Sequence, residues 1–210
     1  MAQQTKLDLK KELKHLYKPS KKDFSVVDVP PLAYLMIDGE GNPNTSAAYA
    51  DAVSALYGLS YAIRSAAKAD PGITFTVMPL EGLWWMEDMS RFSAENKDEW
   101  LWTMMILQPE FVTAAMVEAA REVAVSKKED LAGLRDVRFE TYDEGRSAQI
   151  LYVGPYTQEA PTIAALHAFI SEQGGMLAGK HHEIYLSDPR RTAPEKLKTV
   201  IRQPFHERPF

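Results

Sequence analysis

Near the C-terminal end, His181-His182-Glu183-Ile184-Tyr185-Leu186 alternates polar and apolar residues and stops at Ser187-Asp188-Pro189. The alternation predicts a short β-strand closed by a turn, with Ile184 and Leu186 on one face and His181, Glu183 and Tyr185 on the other. Burying a carboxylate beside an aromatic ring is costly unless something compensates the lost hydration. Such a face is therefore either a solvated sheet surface or a pocket built for a cation or for proton transfer. His181 and His182 are neighbours on a strand, so they point to opposite faces and cannot share one metal ion. His15, His167 and His206 are scattered, and no His-Glu-x-x-His spacing occurs, so no metal site is expected. No serine sits in a Gly-x-Ser-x-Gly turn, and Gly39-Glu40-Gly41 is too sparse for a phosphate loop. Neither an acyl-transfer triad nor a bound cofactor is expected.

Aromatic groups give the stronger signal. They concentrate in Glu81-Gly82-Leu83-Trp84-Trp85-Met86, in Trp100-Leu101-Trp102-Thr103-Met104-Met105 and in the stretch from Tyr152 to Tyr156. On a strand, Trp100, Trp102 and Met104 face one way and Leu101, Thr103 and Met105 the other. Flat rings and pliable methionines either fill a core or line a cavity for bulky planar ligands. Inside such a cavity Glu183 would favour cations, or serve as a general acid or base. Glu87, Asp88, Glu95, Asp98 and Glu99 are expected in a solvated acidic connection. Glu81 divides evenly between a structural hydrogen bond and the pocket. Arg190, Arg191, Lys196, Lys198 and Arg202 read as surface charge around the last strand.

These groups need elements to hold them. The chain has 210 residues, 45% of them hydrophobic, which supports a sizeable core. Its net charge of −5 disfavours direct nucleic-acid binding. With zero cysteines, disulfides, thiolate catalysis and cysteine-ligated zinc are excluded. No apolar stretch is long enough to cross a membrane, and a cytoplasmic protein is expected. Leu7, Leu9, Leu13 and Leu16 predict a short amphipathic helix ended by Pro19, with Lys6, Lys10, Lys11, Lys14, Lys18, Lys21 and Lys22 around it. That basic arm either docks on the body or touches an acidic partner.

A strand is expected over Leu32–Ile37, then a turn over Asp38-Gly39-Glu40-Gly41-Asn42-Pro43, because glycine and proline disfavour regular structure. A helix capped by Asn44 or Thr45 should run to Lys68 and stop at Asp70-Pro71-Gly72. Strands are expected over Ile73–Met86 and Glu99–Leu107, and a helix from Pro109 to Ser126. In the second half, Asp136–Thr141 and Ser147–Val153 read as a hairpin around Asp143-Glu144-Gly145-Arg146. A helix over Gln158–Gln173 and strands over His182–Leu186 and Leu197–Gln203 complete the order. The fold class is α+β: an antiparallel sheet with helices on one face, with the two halves repeating one pattern.

The ordered set of these segments resembles the GyrI-like small-molecule-binding family, and within it the free-standing branch. The carrying stretches are Leu9-Lys10-Lys11-Glu12-Leu13-Lys14, Tyr17-Lys18-Pro19-Ser20, Met36 to Pro43, Met78 to Trp85, Trp100-Leu101-Trp102, Gln149 to Tyr156, His181 to Arg191 and Lys196 to Pro204. The resemblance implies a basic arm over 1–25 and a domain over 26–210. That domain consists of pseudo-symmetric strand-helix-strand-strand modules (about 26–130 and 131–210) with a central ligand cleft. Relatives bind planar aromatic, lipophilic or cationic small molecules, and some resemble hydrolases that open the cyclopropane ring of DNA-alkylating cytotoxins. Glu183 matches the acidic residue that meets the ligand. By the resemblance, Tyr34, Trp84, Trp85, Trp102 and Met104 would hold the planar compound. Glu183 would activate water, and Tyr152 or Tyr185 would hydrogen-bond the oxygen that gains charge. Where relatives carry histidine before Gly154, this chain has Tyr152. The alternative is a drug-sequestering or sensing module that works with a separate regulator. Inhibition of a topoisomerase is a weaker third reading. The partner is a small molecule, not nucleic acid or membrane, and a homodimer is left open.

Overall fold

Alternating apolar residues dominate both halves, and the computed structural model, which describes residues 6–69, 73–127 and 131–208, turns them into one large antiparallel sheet. The first half contains β1 (Lys6–Leu7), α1 (Leu9–Glu12), α2 (Lys14–Tyr17), β2 (Ser25–Val29), β3 (Leu32–Glu40) and α3 (Ala47–Ala69). It continues with β4 (Thr74–Phe75), β5 (Glu81–Trp85), β6 (Leu101–Leu107) and α4 (Ala114–Lys127). The second half contains β7 (Arg138–Tyr142), β8 (Gly145–Val153), α5 (Ala160–Glu172), β9 (Gly175–Leu177), β10 (His181–Tyr185) and β11 (Lys198–Glu207).

The main sheet runs β2-β8-β11-β10-β5-β6-β3-β7, with β9 added to the end of β11. The order β3-β6-β5 of the first half is repeated as β8-β11-β10 in the second, and the halves meet where β5 pairs with β10. This is the α+β architecture the sequence implied.

The β7–β8 connection is not a hairpin, contrary to expectation. β7 pairs with β3 at one edge of the sheet, and β8 pairs with β2 and β11 near the other. The pairs Val29↔Gly145 and Leu32↔Tyr142 belong to one register, so β2–β3 and β7–β8 are two lengths of a single ribbon. The ladder breaks at Pro30-Pro31, because proline has no N–H to donate. Each half thus lends its leading strand to the other.

Cross-strand register fixes which side chains share a face. Gly39, Trp102, Trp84 and His181 are neighbours on one face, as are Met104, Gly82 and Glu183. Tyr185, Thr199 and Tyr152 lie on the same side. Helix α3 covers this face in the first half through Ala52, Ala55, Leu56, Leu59 and Ile63, which recur at helical spacing and are all buried. Burying Leu56, Leu59 and Ile63 contributes about 1.5–3 kcal/mol each. In the second half Leu166 and Ile170 of α5 pack with Ala148, Ile150, Ile201 and Phe205.

The opposite face carries the N-terminal segment, so helices are not confined to one side. α1 and α2 are two short turns broken at Leu13 rather than one helix, and Leu16 and Tyr17 are buried beneath them.

Other boundaries also move. Asp38-Gly39-Glu40 belongs to β3 rather than to a turn: a Cβ on Gly39 would come within 2.1 Å of the Trp102 ring, so this glycine gives the indole room inside the strand. α4 starts at Ala114, where the Thr113 hydroxyl accepts from the Met116 N–H, not at Pro109. β11 continues through Pro204, which pairs in register with Ser147 and whose carbonyl accepts from Ala178 N–H. The helix stop expected at Asp70-Pro71-Gly72 lies outside the described residues.

Candidate functional site

The sheet face that carries Glu183, called the cleft face because the ligand cleft was expected there, is built by close approach of rings to backbone. A Cβ on Gly82 would meet the Trp84 indole nitrogen at 2.7 Å, so only glycine lets that ring lie across β5. Tyr49 from α3 stacks on Trp84 with centroids 6.1 Å apart and meets Trp102 edge-on at 5.4 Å. Trp100 packs against Trp84 at 5.4 Å, and Phe92, from the connection after β5, stacks on Trp100 at 4.9 Å. Tyr156, in the turn before α5, meets Tyr185 edge-on at 5.6 Å.

Glu183 sits among these rings with its side chain 12% exposed. His181 Nε2 lies 3.1 Å from its Oε1, and the Tyr185 hydroxyl donates to its Oε2 at 2.7 Å. Trp84 Nε1–H donates in turn to the Tyr185 oxygen at 3.0 Å, so the donors form a chain that polarises towards the carboxylate.

A second carboxyl faces the first. Glu159 stands at the start of α5, its carbonyl accepting from Thr162 and Ile163 N–H, and its side chain shares a hydrogen bond with Glu183. Burial, the charge of Glu183 and that hydrogen bond push the Glu159 carboxyl up to about 10, against a weaker pull from Lys97. Burial also acts to raise Glu183, but the hydrogen bond and the charge of His181, followed by hydrogen bonds from Tyr185 and Glu159, outweigh it and hold Glu183 low. Near neutral pH the pair therefore keeps one proton, on Glu159. Burial and then the Glu183 charge push Tyr156 up to about 12 and Tyr185 well above the ordinary phenol value, so both remain donors.

The structure brings together Glu183, Tyr185, Trp84, Trp102 and Met104 on the cleft face. Trp84, Trp102 and Met104 are all buried, with Tyr49 stacked on Trp84 and edge-on to Trp102, so they support the wall from beneath. Tyr34 and Trp85 lie on the opposite face, set there by strand parity: Tyr34 is buried near Tyr17 and Glu81, and Lys180 Nζ stands 3.2 Å over the Trp85 ring. Tyr152 is on the cleft face, but β11 separates its strand from β10, and its hydroxyl donates to the Pro155 carbonyl at 3.0 Å. That bond steadies the corner carrying Tyr156 and Glu159.

Sequence reasoning missed Glu159, Tyr49, Tyr156 and Phe92. The Gly154-Pro155-Tyr156 break was a signal for Glu159, since a chain that stops a strand so abruptly places the next few residues at the strand's end. Tyr49 was legible as a ring on the α3 face one turn before Val53.

The opposite face of β10 carries another ionisable cluster. His182 Nδ1 lies 2.8 Å from Glu144 Oε1 and Nε2 lies 3.0 Å from Glu81 Oε2. Tyr17 donates to Glu81 at 2.6 Å, and Arg202 donates to Glu144, Gln149 and the Leu16 carbonyl. Arg202 was expected on the surface; it is 1% exposed, because these acceptors replace its water. Burial opposes charge on His182, but the Glu144 carboxylate and the two hydrogen bonds raise it to about 9. Glu144 is held at about 2 by His182 and Arg202 despite its burial. Glu81 makes structural hydrogen bonds here and does not reach the cleft.

Among the described residues no group of histidine and carboxylate side chains has the spacing to hold a metal, and no helix is long and apolar enough to cross a membrane.

The profile of a GyrI-like small molecule binding domain matches residues 22–206. An uncharacterized conserved protein from Listeria innocua is 40% identical with TM-score 0.89, covering 95% of this chain and 100% of that one. A hydrolase from Listeria innocua is 38% identical with TM-score 0.84 over 95% of this chain and 100% of that one. The EcmrR C-terminal domain, 10% identical over 89% of this chain and 98% of its own, has TM-score 0.55 and shares the fold alone. No curated protein matches the chain.

Proposed function

We propose, from the premise that the chain belongs to the GyrI-like small-molecule-binding family, that the cleft face binds bulky planar, lipophilic or cationic compounds and hydrolyses cyclopropanoid alkylating cytotoxins. The observation that carries the catalytic part is the carboxyl pair among aromatic rings: His181 and Tyr185 hydrogen-bond Glu183 and hold it low, while burial and the Glu183 charge push Glu159 up. Environments that push two acids apart create a base and an acid at one pH. The similarity to a hydrolase from Listeria innocua supports the same reading.

In this mechanism the planar system lies against Tyr49, Trp84 and Tyr156. Glu183 takes a proton from water as the water oxygen bonds to a ring carbon. One ring C–C bond breaks, and its electron pair flows to the conjugated oxygen, which takes the proton from Glu159. The pair still holds one proton, now on Glu183, and it returns to Glu159 through their shared hydrogen bond. Water is the only co-reactant.

A second reading, binding without chemistry, is favoured by the net negative charge of the pair beside several rings, which suits a lipophilic cation. Incubating catalytic amounts of the protein with a cyclopropanoid compound separates the two. Repeated turnover with a mass gain of one water supports hydrolysis. A change limited to one equivalent supports binding alone. No change, with no uptake of a planar cation, would overturn both.

A further inference from the structure

Strand β10 presents His181 to the cleft face beside Glu183, with its side chain 3% exposed. A carboxylate can only accept, so the contact between His181 Nε2 and Glu183 Oε1 at 3.1 Å requires the proton on Nε2. His181 Nδ1 is buried with no partner. His167 Nε2, on α5, is a buried histidine nitrogen in the same position. β11 places Gln203 next to Arg202, the cross-strand partner of His182, and Gln203 donates to the Ala178 and Pro204 carbonyls. The Phe92 ring faces the His181 ring at 6.1 Å.

Donors are shared unequally within the carboxyl pair. Glu183 receives His181 on one oxygen and Tyr185 on the other, whereas Glu159 Oε2 is buried without a partner. Two nearby acids alike in chemistry differ only in what surrounds them, and His181 is the larger part of that difference that is not itself a phenol. We propose that His181, donating through Nε2, is the positioning residue that keeps Glu183 as the ionised member of the pair and the shared proton on Glu159. This rests on the hydrolase reading for its catalytic consequence, but the placement of the proton does not. The groups facing His181 are Glu183 on its own strand, His167 and Gln203 from α5 and β11, and Phe92 from the connection after β5; Lys97 faces Glu159.

The wild-type protein gives the first test. Nitrogen-15 NMR of His181 at neutral pH should show a proton on Nε2. A proton on Nδ1 alone would overturn the proposal, whatever the protein hydrolyses. The variants give the second. His181→Phe should lower kcat on a cyclopropanoid compound by roughly 10–100-fold with little change in KM and should shift the pH profile, because the acid and base roles are no longer fixed. His181→Gln retains an N–H donor and should recover most of the loss with the wild-type profile. Infrared spectra give a readout independent of turnover. The carboxylic-acid band should vanish in Glu159→Gln, persist in Glu183→Gln, and change frequency in His181→Phe but not in His181→Gln. A folded His181→Phe protein with unchanged band and pH profile would overturn the proposal, and so would a His181→Gln protein as impaired as His181→Phe. Should His181→Phe not fold, His181→Leu, which also lacks a donor, takes its place. Absent hydrolysis in the wild type with these infrared results intact would sink the hydrolase reading alone.

Discussion

Strand β10 separates two clusters of the same chemistry with opposite character. On its back face Glu81 and Glu144 meet His182 and Arg202, two anions against two cations, with the Tyr17 hydroxyl and the Gln149 amide filling remaining sites. On its front face Glu159 and Glu183 meet a single histidine and a tyrosine, and no arginine. In the back cluster Glu144 is lowered and His182 and Arg202 are raised, so these three stay charged although water is excluded. In the front cluster Lys97 pulls only weakly on Glu159, so burial and the Glu183 charge dominate and push that carboxyl up. The back cluster is a fastening, while the front cluster pairs two unequal carboxyls among aromatic rings.

Breaking the front cluster should have the largest effect. Glu183→Gln should slow hydrolysis of a cyclopropanoid compound by about 10²–10⁴-fold while leaving planar-cation binding measurable by tryptophan quenching. Full activity in that variant would remove Glu183 from the chemistry.

Breaking the back cluster should cost stability and not binding specificity. His182→Ala leaves Glu81 buried without its histidine partner and Glu144 with Arg202 alone, and should lower unfolding free energy by about 3–5 kcal/mol in urea titrations. The pH dependence follows from the same groups. His182 is raised to about 9, so its contribution is complete below about 6.5 and is lost as pH rises through about 9. Glu144 is lowered to about 2, so its contribution is complete above about 4.3 and is lost as pH falls through about 2. Thermal unfolding should therefore show this cluster at full strength between about pH 4.3 and 6.5, and the alkaline loss should shrink in His182→Ala.

Glu159→Gln sharpens the contrast. Glu159 is raised to about 10, so its burial weakens the fold increasingly as pH climbs above the ordinary carboxyl range. Replacing it should stabilise the protein at pH 8 by about 0.5–2 kcal/mol while abolishing proton donation. No gain in Tm would mean that Glu159 is ionised there. The smallest effect belongs to Tyr152→Phe, which removes one bond to the Pro155 carbonyl. It should cost about 0.5–1.5 kcal/mol of stability and change the hydrolytic rate only modestly.

Period-two patterns were enough to predict β10, β6 and most of β3, because an exposed or helix-covered face imposes alternation on the strand. They also placed Glu183 with Tyr185, and Trp102 with Met104. Tyr34 and Trp85 were harder: their runs are apolar on both faces, so a ring gives no hint of which side it takes. Gly39 inside β3 was illegible because the reason for it is the ring of Trp102, sixty-three residues later in sequence. Arg202 looked like a surface charge since its acceptors come from Leu16, Glu144 and Gln149, none of them close in sequence. The exchange of β2 and β7 was hidden by Asp143-Glu144-Gly145, which has the composition of a hairpin turn but leads the chain past a proline pair opposite.

That exchange bears on how the molecule can be assembled and divided. β2 completes the sheet of the second half and β7 that of the first, so neither half possesses all of its own border. The arrangement is a handshake within one chain. Severing the link between α4 and β7 would leave two fragments with mutually fitting bare margins, and the carboxyl pair, which belongs wholly to the later fragment, would still need the earlier one's tryptophan wall before it could enclose a guest.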